Sequence, residues 1–214
     1  MSVFKNADGK SVLLKIVKAI QDNKVYLGEI DGLIGDGDHG MNMNKGFTLF
    51  EQRFEDIEFS FTEGMNHLGT ILLSEIGGSM GPIYGTIMNS LAEEGNNLEE
   101  ITVADLARML EAGLKELQEI VDARVGDKTL VDTLSPAVDA LKKAAKEGED
   151  FYLALENMKI AARKGCDSTR EMQARFGRSS RLGERSRGVL DAGSVSCYII
   201  LIAMADGIKE IIIN

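Results

Sequence analysis

The sequence has few of the residues that build disulfide-rich or sheet-rich proteins. Its 214 residues include no tryptophan, two prolines and two cysteines, and aromatic residues make up only 6%. Cys166 and Cys197 belong to no CxxC pair or zinc-type spacing, so we expect two buried thiols. The 23 glycines and the scarcity of aromatic residues favour helices joined by short glycine-rich turns over a sheet.

Basic residues and long hydrophobic runs are also scarce. The chain carries 34 acidic against 24 basic residues, and its net charge of -10 repels nucleic acids and anionic membranes. The first ten residues lack the apolar core of a signal peptide. The apolar stretch near the C-terminus stops at Asp206, short of the ~20 residues that cross a bilayer. We therefore expect a cytoplasmic protein without a nucleic-acid or membrane partner.

Apolar residues recur at helical spacing along most of the chain, and no repeat or linker divides it. Ser11 is a candidate cap for a first helix, and Thr102 with Asp105 three residues later is the clearest helix start. Further runs begin near Asn42, Thr62, Pro82, Thr129, Glu149 and Gly193, with Ser135-Pro136 as an alternative start for the Thr129 run. The pattern predicts one all-α domain over residues 1–214, an antiparallel bundle of about eight helices with its joints at the two ends.

Three aspartates stand close together in a glycine-rich segment. Asp31, Asp36 and Asp38 lie within eight residues, and carboxylates this close repel one another unless cations neutralise them. Mg²⁺ prefers such oxygen ligands. A solvated Asp/Gly turn is the alternative. Apolar residues between the acids favour the metal site. His39, directly after the segment, either contacts a ligand or has a structural hydrogen bond.

Three other segments have phosphate-binding chemistry. Gly77–Pro82 forms a turn into a helix, which is either an anion site or a plain joint. Gly126–Asp132 lacks the first P-loop glycine, so Lys128 and Thr129 contact phosphate or cap the next helix. Six arginines in residues 170–187 reverse the acidity of the chain, and arginine is the usual partner of phosphate oxygens. A solvated basic face explains some of the six.

Together, four pieces of the sequence resemble the nucleotide-binding L subunits of dihydroxyacetone kinases in order and spacing: Gly35–Gly40 with Asn42, Gly77–Pro82, Gly126–Thr129, and Gly177-Arg178 with Leu182–Ser186. The resemblance implies an antiparallel eight-helix barrel that binds ADP or ATP in loops at one end. It implies two Mg²⁺ ions on Asp31, Asp36 and Asp38, with Arg178 as the catalytic arginine. The nucleotide contacts that it implies are His39, Gly40, Met41, Asn42, Ser79, Met80, Gly81, Thr129, Leu130, Arg178, Asp191, Ala192 and Gly193.

The resemblance also implies a reaction and partners. The chain would transfer phosphoryl to dihydroxyacetone or a similar hydroxyketone held by a separate K subunit. Its ADP would be rephosphorylated by a phosphocarrier protein of the phosphoenolpyruvate system, and the chain would form a homodimer. A subunit that uses exchangeable ATP, and a nucleotide-binding module that contacts a transcription regulator, are the alternatives.

The sequence departs from the family pattern at several positions. Ser79-Met80 stands where the family usually has Ala-Ser, and Ala192 replaces a proline. These changes leave the phosphate or ribose contact at the Ser79 turn open. Arg181 and Arg187 replace residues that are more often uncharged in the family, which is consistent with a variant substrate or partner surface.

Overall fold

The computed structural model describes residues 2–212. This part of the chain contains eight α-helices and two two-residue strands. The helices are α1 (Lys10–Ile34), α2 (His39–Phe54), α3 (Phe61–Glu75), α4 (Met80–Gly95), α5 (Val103–Ile120), α6 (Val131–Glu147), α7 (Phe151–Ser168) and α8 (Ala192–Ile211). The strands β1 (Phe4–Lys5) and β2 (Glu100–Ile101) pair antiparallel, with Phe4 opposite Ile101. Short 3₁₀ segments cover Asn6–Asp8, Thr169–Glu171 and Arg178–Ser186.

The helices form a closed ring. Each helix packs against the next one along the chain, and α8 packs back against α1. Because short joints connect most neighbours, successive helices run antiparallel. This confirms the predicted all-α antiparallel eight-helix architecture. The alternation places the α1–α2, α3–α4, α5–α6 and α7–α8 joints at one end, so α2, α4, α6 and α8 all begin there.

Most helices begin within three residues of the predicted starts, and polar side chains cap four of them, α3, α5, α7 and α8. Thr102 and Asp105 form the expected capping box at α5, and Ser60 forms a second one at α3. The cap predicted at Ser11 is wrong: α1 begins at Lys10, after Gly9. A Cβ on Gly9 would lie 2.2 Å from the Cβ of Phe61, so close packing against α3 requires glycine at the cap position of α1.

The alternative helix start at Ser135-Pro136 is also wrong. Pro136 lies inside α6, which begins at Val131. A proline has no N–H, so the carbonyl of Asp132 loses its usual helical donor. That carbonyl faces Gly165 of α7, where a Cβ would lie 2.0 Å from its oxygen. The missing side chain at Gly165 leaves room for this carbonyl, and the helix continues through the proline.

Apolar side chains from every helix fill the ring. The largest fully buried ones include Phe47, Phe50 and Phe151, and Phe4 meets Phe61 edge to face with ring centroids 5.4 Å apart. Each buried side chain of this size stabilises the fold by roughly 1.5–3 kcal/mol. Because Phe4 lies in β1 and packs into this core, the strand pair holds the N-terminal segment against the helices.

The cysteines and α8 belong to this core. Cys166 and Cys197 are free and buried, as predicted, and burial raises the pKa of the Cys166 thiol to about 12. Within residues 2–212, α8 is the one helix long and apolar enough to cross a membrane, but 67% of its apolar window is buried inside the protein. Its hydrophobicity thus matches its position against α1, α6 and α7.

Candidate functional site

A cavity of about 350 Å³ opens at the end of the barrel where the even-numbered helices begin. All four joints at that end contribute to its lining, as the alternation of helix directions requires. The lining residues are Asp31, Ile34, Gly35, Asp36, Asp38, His39, Asn42, Gly78, Ser79, Met80, Ile83, Tyr84, Leu117, Val121, Ala123, Lys128, Thr129, Leu130, Val131, Phe176, Gly177, Arg178, Ser179, Asp191, Ala192 and Gly193.

Three carboxylates converge on one side of this cavity. One oxygen from each of Asp31, Asp36 and Asp38 lies within 4.8 Å of the others. Gly37 between them has a φ of +77°, which favours glycine and allows the tight turn. Asp31 stands in the last turn of α1, where the helix dipole disfavours a carboxylate. These oxygen ligands fit Mg²⁺, and a bound cation would relieve the repulsion between them.

The helix starts around the cavity favour anions. The first turns of α2, α4, α6 and α8 carry N–H groups without intrahelical partners, and their dipoles make this end positive. One of these groups, the His39 N–H, donates to Asp31 at 3.4 Å. Carboxylates on one side and helix starts around them suit a phosphate group that is bridged to the protein by cations.

His39 connects the cavity to a buried hydrogen-bond network. Its Nε2 lies 2.8 Å from Ser196 Oγ, which lies 2.6 Å from the hydroxyl of Tyr84. Burial lowers the pKa of His39 to about 4, although the charge of Asp31 opposes this shift. Burial also raises the pKa of Tyr84 well above its ordinary value. At neutral pH both groups are therefore uncharged hydrogen-bonding groups.

The α7–α8 connection, residues 169–191, is much longer than the short joints that we predicted. We call it the arginine arm. Lys128 fastens its two ends, because the buried Nζ donates to the carbonyls of Thr169 and Val189, both at 2.5 Å. Lys128 is 1% exposed and has a φ of +61°, unusual for a residue with a side chain. The helix-cap role predicted for Lys128 is wrong, because Leu130 is the cap position of α6, whereas its phosphate contact stays a prediction.

Two further ties close the base of the arm. The Arg170 carbonyl accepts from the Gly188 N–H at 2.8 Å, and the Arg170 guanidinium donates to the Gly188 carbonyl at 3.2 Å. Arg187 donates to the carbonyl of Glu171. Long loops whose two ends lie close together are often functional.

The tip of the arm forms one wall of the cavity. Arg178 forms an ion pair with Asp36, so it reaches the carboxylate cluster. Arg175 lies 3.5 Å from Asp127. Arg181 and Arg185 have no ion pair in the described range, in keeping with the solvated basic face that we expected for part of the cluster.

The α5–α6 joint and the start of α8 complete the site. Asp132 holds the joint by accepting from the N–H groups of Gly126 and Thr129 at 2.6 and 2.7 Å. Thr129 Oγ1 accepts from the Val131 N–H, but the cap position of α6 is Leu130 and no side chain caps this helix, so the capping role predicted for Thr129 is wrong. Asp191 caps α8, and burial raises the pKa of its carboxyl to about 7, although the Ser194 N–H and the Lys128 charge oppose this shift.

The cavity brings together most of the residues that the sequence singled out for nucleotide contact. Three do not line it. Gly40 packs on α1, where a Cβ would lie 1.9 Å from the Lys24 carbonyl oxygen, and Gly81 packs similarly against the Ile76 carbonyl. Met41 points outward and is 63% exposed. The two glycines thus shape the site through close packing.

Sequence reasoning missed two parts of the site. Ser196 and Tyr84 carry the network behind His39, and no local pattern marks them because they come from different helices. The cavity also has an apolar wall that no sequence pattern marks as part of a site, since apolar spacing indicates only core residues. This wall consists of Ile83, Leu117, Val121, Ala123 and Phe176.

The fold and the site define a class: a helical barrel with an acidic metal-type cluster and an anion-favouring cavity at one end. Residues 33–206 match the family model described as the DAK2 domain. The chain belongs to this family.

Several curated relatives agree with this assignment. The chain is 35% identical over 188 residues to the "PEP-dependent dihydroxyacetone kinase, ADP-binding subunit DhaL" of Escherichia coli. The matched region covers 86% of this chain and 89% of that protein. It is 34% identical to the corresponding subunit of kinase 1 of Listeria innocua, over 86% of this chain and 88% of that one. A "PTS-dependent dihydroxyacetone kinase, ADP-binding subunit DhaL" of Lactococcus lactis is also 34% identical, over 85% and 87%.

Solved structures share the fold. The dihydroxyacetone kinase of C. freundii in its native form superposes with a TM-score of 0.70 at 18% identity, over 91% of this chain. The same kinase in complex with AMP-PNP and Mg²⁺ gives 0.68 at 20% identity, over 94% of this chain. The chain corresponds to 33% of the length of each, so it resembles one part of a larger protein.

Proposed function

We propose that the chain is the nucleotide-binding subunit of a dihydroxyacetone-type kinase, a phosphotransferase that acts on a hydroxyl group. One observation carries the proposal: Asp31, Asp36 and Asp38 converge within 4.8 Å in a cavity ringed by helix starts. Mg²⁺ on these carboxylates would supply the positive charge that phosphoryl transfer requires. The relatives that match over most of their length are named as ADP-binding subunits of such kinases.

Different parts of the cavity would bind the metal ions, the phosphates and the nucleobase. The three aspartates would hold two Mg²⁺ ions, and the helix starts of α2, α4 and α6 would receive phosphate oxygens. The apolar wall, from Ile83 to Phe176, suits the face of a nucleobase. A volume of about 350 Å³ is within the usual range of small-molecule sites.

Arg178 is the residue best placed to neutralise the transferred phosphoryl group. Its guanidinium reaches Asp36, beside the proposed metal ions, from the tip of the arginine arm. Arginine in this role strengthens its contacts as charge develops in the transition state. We assign no general base to this chain, because positioning and charge neutralisation account for most of the catalysis of phosphoryl transfer.

The hydroxyketone would come from a separate K subunit. Exposed apolar residues lie at the cavity end of several helices, including Leu33, Leu73 and Ile120, and they suit contact with a protein. Arg181 and Arg185 add positive charge on the arm. A protein that seats over the mouth would present its substrate directly to the phosphoryl group.

We further propose that bound ADP is rephosphorylated by a phosphocarrier protein. The names of the relatives, which specify PEP or PTS dependence, support this donor over exchangeable ATP. We place the chain in the cytoplasm as one domain. An exposed apolar face on α7, formed by Tyr152, Leu153 and Ile160, supports a homodimer.

Reconstitution with a K subunit tests the proposal. The purified chain, a K subunit and dihydroxyacetone are supplied with Mg²⁺ and either a phosphocarrier system or ATP. We expect Asp36→Ala to abolish formation of the sugar phosphate, whereas Asp22→Ala, an exposed acid of α1 paired with Lys18, leaves it unchanged. Full activity of Asp36→Ala would refute the proposed function. Native mass spectrometry of the same preparations, with and without excess ATP, identifies the donor: retained ADP that ATP does not replace indicates a phosphocarrier.

A further inference from the structure

The hydrogen bonds behind His39 determine which ring nitrogen carries the proton. Ser196 Oγ contacts Nε2 of His39 and in turn contacts the hydroxyl of Tyr84 and the carbonyl of Gly193; Ser196 and Tyr84 are both almost fully buried. Four contacts connect these groups: His39 to Ser196 at 2.8 Å, Ser196 to Tyr84 at 2.6 Å, and both hydroxyls to the Gly193 carbonyl at 3.1 and 3.0 Å. Each contact is favourable only if one proton lies in it.

The number of available protons differs between the two tautomers. With a proton on Nε2, His39 donates to Ser196, Ser196 donates onward, and Tyr84 donates to the Gly193 carbonyl, so one of the four contacts lacks a proton. With the proton on Nδ1, Ser196 must donate to Nε2, and only the Tyr84 proton remains for the other three contacts. Two contacts then bring oxygen lone pairs together without a proton. The network therefore favours the Nε2–H tautomer.

In this tautomer Nδ1 carries a lone pair. It has no hydrogen-bond partner among residues 2–212, and His39 lines the cavity. A phosphate oxygen at neutral pH is an acceptor and offers no proton to it. An O–H group of the ligand is the complementary partner.

The geometry points to His39 as an acceptor for a hydroxyl group of the bound nucleotide complex, with Ser196 and Tyr84 as the positioning residues that hold its tautomer. The inference rests on the proposed function for the identity of the ligand. The O–H group has two sources, a ribose hydroxyl of the nucleotide or a water molecule bound to Mg²⁺. His39 would thus recognise hydroxyl chemistry, while the helix starts and cations receive the phosphates.

Long-range ¹H–¹⁵N correlation spectra of the ligand-free protein test the tautomer directly. The chain has two histidines, so His67→Gln assigns the His39 signals. We expect a pyrrole-like Nε2 and a pyridine-like Nδ1 in the wild type, and loss of this fixed pattern in Ser196→Ala. Ser194→Ala, which removes an equally buried hydroxyl of α8 that does not contact His39, should keep it. A wild-type spectrum with the proton on Nδ1 would overturn the inference without affecting the proposed function.

Binding measurements identify the source of the hydroxyl. In Ser196→Ala we expect the affinity for Mg-ADP to fall about tenfold, the equivalent of one hydrogen bond. If a ribose hydroxyl is the donor, 2′-deoxy- or 3′-deoxy-ADP loses this sensitivity and Mg-pyrophosphate is unaffected. If metal-bound water is the donor, all four ligands weaken equally. Unchanged Mg-ADP affinity in a variant whose tautomer is no longer fixed would contradict the inference, and the wild-type tautomer spectrum still tests it should Ser196→Ala not fold. A wild-type chain that binds none of these ligands would refute the proposed function instead.

Discussion

Lys128 holds both ends of the arginine arm, and replacing it with methionine should release the arm. Methionine has similar length but cannot donate to the carbonyls of Thr169 and Val189. Hydrogen bonds from a charged donor contribute about 1.5–3 kcal/mol each, so the two bonds together contribute about 3–6 kcal/mol. Burial of the ammonium group offsets part of this, since desolvation lowers the pKa of Lys128. We expect Lys128→Met to reduce the free energy of unfolding by about 2–4 kcal/mol.

Urea unfolding measures this loss, and hydrogen exchange locates it. Lys142→Met is a matched control, because Lys142 is about half exposed and pairs with Glu111 on the surface. Such pairs contribute only about 0–1 kcal/mol. Amide exchange in residues 172–187 should accelerate in Lys128→Met and stay unchanged in Lys142→Met. If the two variants lose equal stability, or if exchange in the arm does not change, Lys128 does not fasten the arm.

Three other predictions follow from single contacts. Burial raises the pKa of Asp191 from 3.8 to about 7, so its stabilising contribution is complete below about pH 4 and is lost as pH rises through 7. The free energy of unfolding of Asp191→Asn should therefore rise relative to that of the wild type between pH 5 and 8 in metal-free buffer. A difference between the two proteins that stays constant over these pH values in urea unfolding would contradict this. Thr102→Ala removes the capping box of α5 and should cost ~1 kcal/mol by thermal unfolding, with no loss as the opposing result. Gly40→Ala places a Cβ 1.9 Å from the Lys24 carbonyl oxygen and should cost about 1–3 kcal/mol, whereas Gly77→Ala, with no atom within 4 Å of its Cβ, should cost little; equal stabilities would refute the packing argument.

The sequence predicted the fold well because the relevant signals are local. Helical periodicity gave the eight helices, and Thr102 with Asp105 marked one start to the residue. The carboxylate cluster was also predictable, since Asp31, Asp36 and Asp38 are neighbours along the chain and converge over one turn. Local signals failed at Pro136, because the room for the Asp132 carbonyl that it leaves unbonded comes from Gly165 on another helix.

The rest of the site depends on contacts between distant residues. Lys128 reaches Thr169 and Val189, which are 41 and 61 residues away. His39 meets Ser196 across 157 residues. The local sequence around Lys128 or His39 does not indicate any of these three partners. Propensity and periodicity describe local segments, so these contacts emerge only when the ring closes and α8 packs against α1.

Mg²⁺-dependent nucleotide binding is the most direct test of the central claim. Isothermal titration calorimetry of ADP into the chain, freed of nucleotide and metal by desalting in EDTA, is carried out with and without Mg²⁺ for the wild type, Asp36→Asn and Asp22→Asn. The account predicts that binding requires Mg²⁺, is at least tenfold weaker in Asp36→Asn, and is unchanged in Asp22→Asn. ADP binding that is equally strong without Mg²⁺, or insensitive to Asp36→Asn, would contradict the assignment of the carboxylate cluster as the metal site.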